Sequence, residues 1–252
     1  MPSLTGYSPE LDYSYAPGIF PSMECLLHRP EQVRRLLIHS AAEGREGIAK
    51  LTALAEKLGV RIETADRALG RISGKENCYA AAVFGKFRDE PDPLKPHVLL
   101  HNPGDSGNAG TIMRTALGFG VEDIIMIRPC VDPFDPRTVR ASMGSLFSLR
   151  VMVYDRTDEY LAVCGDRDLY PFMLDASVPM EEALERRGGK PWTLIFGNEG
   201  RGLPAEFAGM GQPVRIPSND RVDSLNLAAA AAIGIYAFAT KKIRGQEGRQ
   251  DQ

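Results

Sequence analysis

Three stretches of this 252-residue chain gather Asn, Glu, Ser or Arg, the first two interleaved with glycines, residue types that hold a small ligand through backbone contacts and forked hydrogen bonds. The first, His101-Asn102-Pro103-Gly104-Asp105-Ser106-Gly107-Asn108-Ala109-Gly110, follows an apolar run and leads into a helical pattern over 111–119, which Gly120 ends. Asn108 stands near the start of that helix as a cap, and Arg114 follows one turn later. A cap and a surface arginine would be a sufficient structural account of the pair. The Gly-x-x-Gly-x-x-Gly spacing matches neither the dinucleotide fingerprint nor the phosphate loop with its Lys-Ser/Thr, so both lose ground.

The second stretch, Phe196-Gly197-Asn198-Glu199-Gly200-Arg201-Gly202-Leu203-Pro204, places three glycines in six residues after the apolar run that holds Trp192. That density is expensive in backbone entropy for a mere surface turn and suits close backbone approach to a ligand. The third begins as a short strand, Val214-Arg215-Ile216-Pro217, and passes through Ser218-Asn219-Asp220-Arg221-Val222-Asp223-Ser224 into the alanine-rich helix 225–240. Ser224 as N-cap, with Asn226 in the first turn, accounts for the start of that helix. Its run of alanines predicts packing at close backbone range.

The elements that must position these loops are legible as apolar runs. Val98-Leu99-Leu100, Ile124-Ile125-Met126-Ile127, Val151-Met152-Val153-Tyr154, Phe172-Met173-Leu174 and Leu194-Ile195-Phe196 alternate with helical stretches, as the strands of a parallel sheet covered on both faces do. Ligands of such folds sit beyond the carboxyl ends of the strands, where the loops lie. Three prolines and three acids in Asp89-Glu90-Pro91-Asp92-Pro93-Leu94-Lys95-Pro96 mark an extended connector. Before it, Ile48, Leu51, Leu54, Ala55 and Leu58 recur at helical spacing up to Gly59, and Val60-Arg61-Ile62-Glu63 alternates as a strand. The expected α/β architecture is therefore a small α/β domain over 1–95, a mostly parallel-sheet domain over 96–244 and a polar, disordered tail over 245–252. Arg29, Arg34 and Arg35 cluster in the first domain, as do Arg67, Arg71 and Lys75; a solvated helix face would explain each cluster.

Composition narrows the function classes. With 30 Lys plus Arg against 33 Asp plus Glu, the net charge is -3, so nucleic-acid binding must rest on local patches. The four cysteines lie far apart with no C-x-x-C pair, which argues against a disulfide scaffold or a thiolate metal site and points to a reducing cytoplasm. No secretory pattern opens the chain, and the longest apolar run, 225–239, is short of the roughly 20 residues a bilayer crossing needs.

Taken in order, Asn108-Ala109-Gly110-Thr111-Ile112-Met113-Arg114, then Phe196-Gly197-Asn198-Glu199-Gly200-Arg201-Gly202-Leu203, then Ile216-Pro217 with Val222-Asp223-Ser224-Leu225-Asn226 resemble the three motifs of the SpoU (TrmH-like) RNA 2'-O-ribose methyltransferases. Arg140-Ala141-Ser142-Met143-Gly144-Ser145 resembles the family's Arg-x-Ser-x-Gly stretch. The resemblance spans about 97–241 and implies a C-terminal deep trefoil knot, S-adenosylmethionine as cofactor, no metal, a homodimer and structured RNA, most plausibly rRNA, as substrate. It assigns the cofactor to Gly197, Asn198, Glu199, Gly200, Ile216, Ser224 and Leu225, and catalysis to Arg114 assisted by Asn108, Glu199, Ser224 and Asn226. The N-terminal segment is similar to the family's L30e-like substrate-binding domain, through Ile19-Phe20-Pro21-Ser22-Met23-Glu24 and Ile72-Ser73-Gly74-Lys75-Glu76-Asn77. That implies RNA contacts for Arg29, Arg34, Arg35, Arg67, Arg71 and Lys75, with Arg140 joining them from the Arg-x-Ser-x-Gly stretch.

In that family the arginine matched by Arg114 is often proposed as the base. Guanidinium stays protonated, so holding the target phosphate and ribose by forked donation suits it better, with the proton leaving to phosphate or solvent. Asn102-Pro103 and the following Gly104-Asp105-Ser106-Gly107 replace the shorter Asp-Pro lead of many members, and Leu227 with its alanines replaces a commoner Val-Ser-Val. Other readings are a tRNA methyltransferase, a non-catalytic ribosome assembly factor of the same fold and a Rossmann-type oxidoreductase, the last lacking its fingerprint.

Overall fold

The computed structural model describes residues 6–42, 44–73, 78–175, 177–219 and 221–241. Lys75 and the expected tail 245–252 lie outside the described residues. By contact the chain forms two compact units, one of Met1–Asp89, Asp105–Arg114 and Val131–Arg150, the other of Glu90–Gly104, Thr115–Cys130 and Val151–Gln252. Both are discontinuous along the chain, unlike the contiguous domains read from the sequence.

The first unit opens with β1 (Tyr13–Pro17), α1 (Ile19–His28), β2 (Val33–Ile38), α2 (Glu46–Lys57), β3 (Ile62–Thr64), α3 (Asp66–Ser73) and β4 (Ala80–Gly85). Its sheet runs β1-β4-β2-β3, with β4 antiparallel to both neighbours and β2 parallel to β3. Every residue of β4 is buried, as befits a central strand of small and apolar residues. The Ser22 hydroxyl accepts the Ala82 N–H and donates to the Ala16 carbonyl, so one buried side chain fastens α1 to two strands. Gly59 adopts φ +69 just beyond α2, the left-handed stop that the periodicity predicts.

The remaining elements are β5 (His97–His101), α4 (Ser106–Gly118), β6 (Asp123–Ile127), α5 (Pro136–Ala141), β7 (Arg150–Tyr154), α6 (Thr157–Leu161), β8 (Asp168–Pro171), β9 (Val178–Pro179), α7 (Met180–Arg186), β10 (Trp192–Phe196), β11 (Val214–Arg215) and α8 (Leu227–Thr240). The five-stranded sheet of the second unit is ordered β7-β6-β5-β10-β8, and β5 pairs in parallel with β6 and β10, as β10 does with β8. Its core gathers Leu99, Ile125, Ile127, Tyr160, Ile195 and Phe207. This is the mostly parallel α/β sheet that the apolar runs predict.

Four local expectations are corrected. Helix α4 starts at Ser106 and not at residue 111, because Asp105 caps it: its carboxylate accepts the Asn108 N–H at 2.7 Å and its carbonyl the Ala109 N–H. Asn108 is therefore inside the first turn and is not the cap. Helix α8 is capped by Asn226, whose side chain accepts from Ala228 and Ala229, and not by Ser224. Phe172-Met173-Leu174 is not a strand: β8 ends at Pro171, and Phe172 only bridges to Val214. The strand expected at 60–63 is β3, Ile62–Thr64.

Candidate active site

At the carboxyl ends of β8 and β10, the second unit encloses a cavity of about 360 Å³. Three segments build its wall: 172–175 after β8, 197–203 after β10, and 214–230 in part. Gly197, Asn198, Glu199, Gly200, Ile216, Ser224 and Leu225 all line it, so the seven residues singled out for a cofactor come together in one place. Phe172, Met173, Leu174 and Asp175 also line it and were missed. The signal was there as an apolar run, read as a buried strand.

The glycine loop owes its shape to backbone packed on backbone. A Cβ on Gly197 would stand 2.1 Å from the Gly202 carbonyl carbon, and Gly202 itself holds φ +66. Asn198 and Gly202 exchange N–H to carbonyl bonds of 3.2 and 2.9 Å. Within that closed turn, the Asn198 side-chain oxygen accepts the N–H groups of Gly200 and Arg201, and its amide donates to the Asn102 carbonyl at 2.9 Å. Glu199 accepts the Gly104 N–H at 3.0 Å. Asn198 and Glu199 thus clamp the loop to residues 102–104.

Asn102 makes that clamp possible. It adopts φ +55, a conformation Asn tolerates better than most, and its side-chain amide donates to the Arg128 carbonyl at 2.6 Å while its N–H reaches Ile127. Beside it, the His101 ring meets Phe207 edge-on at 4.9 Å. Burial holds its imidazole below the ordinary range, with Glu206 opposing in part, and its buried Nδ1 has no partner among the described residues.

On the far side of the cavity, Ile216 and Leu225 supply aliphatic wall, and the Gly234 backbone of α8 lies so close to Phe172 that a Cβ there would come within 2.7 Å of its ring. Phe172 in turn stacks on Phe196 at 4.5 Å. Gly234 thus lets an aromatic pair that lines the cavity reach the backbone of α8.

Asn108, Arg114 and Arg140 belong to the first unit. Arg114 is exposed on α4. Gly110 sits where a Cβ would come 2.6 Å from Ala141 and 2.7 Å from the Thr138 carbonyl and the Ser142 nitrogen, so α4 crosses α5 in backbone contact. That crossing explains a glycine at position 110, inside a helix it would otherwise weaken. Of the other arginines singled out, Arg29 donates to Asp89 and to the Phe147 and Leu149 carbonyls, Arg34 pairs with Asp12, and Arg35 pairs with Glu63. Arg67 and Arg71 are exposed on α3. Among the described residues, no group of three His, Cys, Asp or Glu could hold a metal ion.

Residues 95–236 match the SpoU rRNA Methylase family. A "23S rRNA (adenosine(1067)-2'-O)-methyltransferase" of Streptomyces laurentii is 29% identical over 211 residues, which cover 79% of this chain and 76% of the relative. A "23S rRNA (guanosine(2553)-2'-O)-methyltransferase RlmP" of Bacillus subtilis is 31% identical, with 62% of each chain covered. The crystal structure of the SpoU methyltransferase AviRb from Streptomyces viridochromogenes, in complex with the cofactor AdoMet, superposes with a TM-score of 0.77 at 25% identity, covering 90% of this chain and 89% of that one. The chain belongs to the SpoU rRNA methylase family.

Proposed function

We propose that the protein transfers a methyl group from S-adenosylmethionine to a ribose 2'-hydroxyl of rRNA. One observation carries the reading: the glycine loop, Ile216 and Leu225 converge on a single cavity, with aliphatic and backbone walls. Such walls fit an adenine ring and a thioether-like chain without calling for a metal. Gly197, Asn198, Gly200, Ile216, Ser224 and Leu225 would hold the cofactor, with Glu199 and Asn198 keeping the loop in register. When bound, the cofactor supplies a sulfonium-activated methyl group. The ribose oxygen gains the carbon–oxygen bond as the carbon–sulfur bond breaks, and the hydroxyl proton leaves to phosphate or solvent.

In this reading Arg114 grips the target phosphate and ribose with its planar fork and so aligns the attacking oxygen, while Asp105, through its bond to the Asn108 N–H, and Asn226 fix the helix starts on which the aligned groups stand. Residues 1–95 act as the L30e-like substrate domain. A knot would need the chain to return past β8 before α8, and the bonds from the Gln212 N–H to the Leu169 carbonyl and from the Met173 N–H to the Val214 carbonyl lay residues 212–214 parallel beside 169–173. A homodimer is supported by an apolar patch on α8, where exposed Ile233 and Tyr236 flank Phe119, whose ring meets Tyr236 at 5.5 Å. Four cysteines that form no disulfide among the described residues suit a reducing cytoplasm.

The test is calorimetric titration with S-adenosylmethionine followed by methylation of a 23S rRNA transcript. Saturable binding with ribose-methylated product supports the reading. RNA binding without cofactor affinity would replace it with the assembly-factor alternative, and activity on tRNA alone would replace the substrate.

A further inference from the structure

One end of the first unit's sheet carries a group of cationic and aromatic side chains that the sequence motifs leave unassigned. Arg45, at the start of α2, lies with its guanidinium 3.8 Å from the centre of the Tyr79 ring. His39, just past β2, meets the other part of that ring edge-on at 6.2 Å. The arrangement is held from below: Asp66 accepts from the Ser40 N–H and hydroxyl at 2.8 and 2.6 Å, and the His39 Nδ1 accepts the Ala41 N–H. Nδ1 also lies 3.6 Å from the Asp66 carboxylate, and Nε2 is the ring nitrogen turned to neither of them. Arg67, the residue after Asp66, is exposed at the same helix start.

Carboxylates take up several of the unit's other arginines. Arg29, Arg34, Arg35 and Arg61 each pair with a carboxylate. Among the described residues no carboxylate pairs with Arg45 or Arg67. A guanidinium placed over an aromatic ring and paired with no carboxylate keeps N–H groups for an external anion. An arginine–tyrosine pair with an adjacent imidazole is the chemistry that takes an unpaired RNA base together with its phosphate; a paired base in a duplex has no free face to offer.

We propose that Arg45, Tyr79 and His39 form a docking site for an unpaired RNA nucleotide, with Arg45 extending the stack and holding the phosphate and Arg67 adding a second phosphate contact. The proposal rests on the reading of the protein as an enzyme of rRNA. Its test is filter binding of the full-length protein to a 23S rRNA transcript across a salt series, with S-adenosylmethionine affinity measured separately by calorimetry. Tyr79→Ala and Arg45→Glu each weaken RNA binding roughly tenfold, and Arg45→Glu lowers the salt slope by about one, while cofactor affinity stays at the parent value. Arg156→Ala, which removes an exposed charge paired with Asp158 elsewhere, keeps parent RNA affinity. Parent-like RNA binding by Arg45→Glu and Tyr79→Ala overturns the docking site. Should Tyr79→Ala fail to fold, Arg45→Glu decides alone, since Arg45 makes no side-chain cap bond to its helix. A parent protein that does not retain the transcript would defeat the functional reading as well, which keeps the two failures apart.

Discussion

Arg114 and Gly197 bear the most at the scale of single residues, for opposite reasons. Arg114 is exposed and, in the proposed mechanism, acts by what it can reach, so Arg114→Ala should lower methyl transfer by about a hundredfold or more while leaving cofactor affinity and melting temperature unchanged. Arg114→Lys does not restore the rate, because a point charge cannot reproduce a planar fork. Gly197 acts by what it lacks. With 2.1 Å between its missing Cβ and Gly202, Gly197→Ala must open the loop, and calorimetry should find S-adenosylmethionine binding weakened at least about tenfold. His101 gives a pH signature. Because burial favours its neutral ring, the unfolded chain takes the proton first as pH falls below the ordinary value of 6.5, and stability declines from there toward acid. Melting curves should show that decline, and His101→Leu should flatten it. These roles were unevenly legible beforehand. Glycine density and motif order announced Gly197, whereas the φ +55 of Asn102 and its bond to the Arg128 carbonyl depend on a neighbouring strand that no local pattern names.

Helix starts decide how the elements present those residues. Asp105 and Asn226 each satisfy N–H groups at the start of the helix that carries site residues or frames the cavity. Asn226→Ala should cost about 1 kcal/mol, a fall of about 2–4 °C in melting temperature, with Asn226→Ser recovering most of it. Both caps were misplaced in the sequence reading, by three residues and by two: Asn108 and Ser224 are good caps, but Asp105 and Asn226 are equally good and better placed. Propensity alone could not separate them. The early start of α4 was hidden further by Gly107 and Gly110, which look like loop residues; the crossing with α5 supplies the reason for Gly110. The strands fared better, since β5, β6 and β10 are continuous apolar runs and a fully buried parallel strand looks like little else. Pro171-Phe172-Met173-Leu174 is apolar too, yet its residues serve as cavity wall and aromatic packing, a use that hydrophobicity does not distinguish from a strand.

At the level of the molecule, the proposed homodimer places Phe119, Ile233 and Tyr236 away from water. Ile233→Asp with Tyr236→Glu should shift the protein from dimer to monomer in sedimentation velocity; an unchanged dimer would move the interface elsewhere. No helix among the described residues is long and apolar enough to cross a membrane. The most direct measurement for the whole account is incubation of the protein with methyl-labelled S-adenosylmethionine and a 23S rRNA transcript, followed by complete digestion and separation of the nucleosides. The account predicts label in a 2'-O-methylated nucleoside, lost with Arg114→Ala; label on a base, or no transfer by a protein that binds both cofactor and RNA, would contradict it.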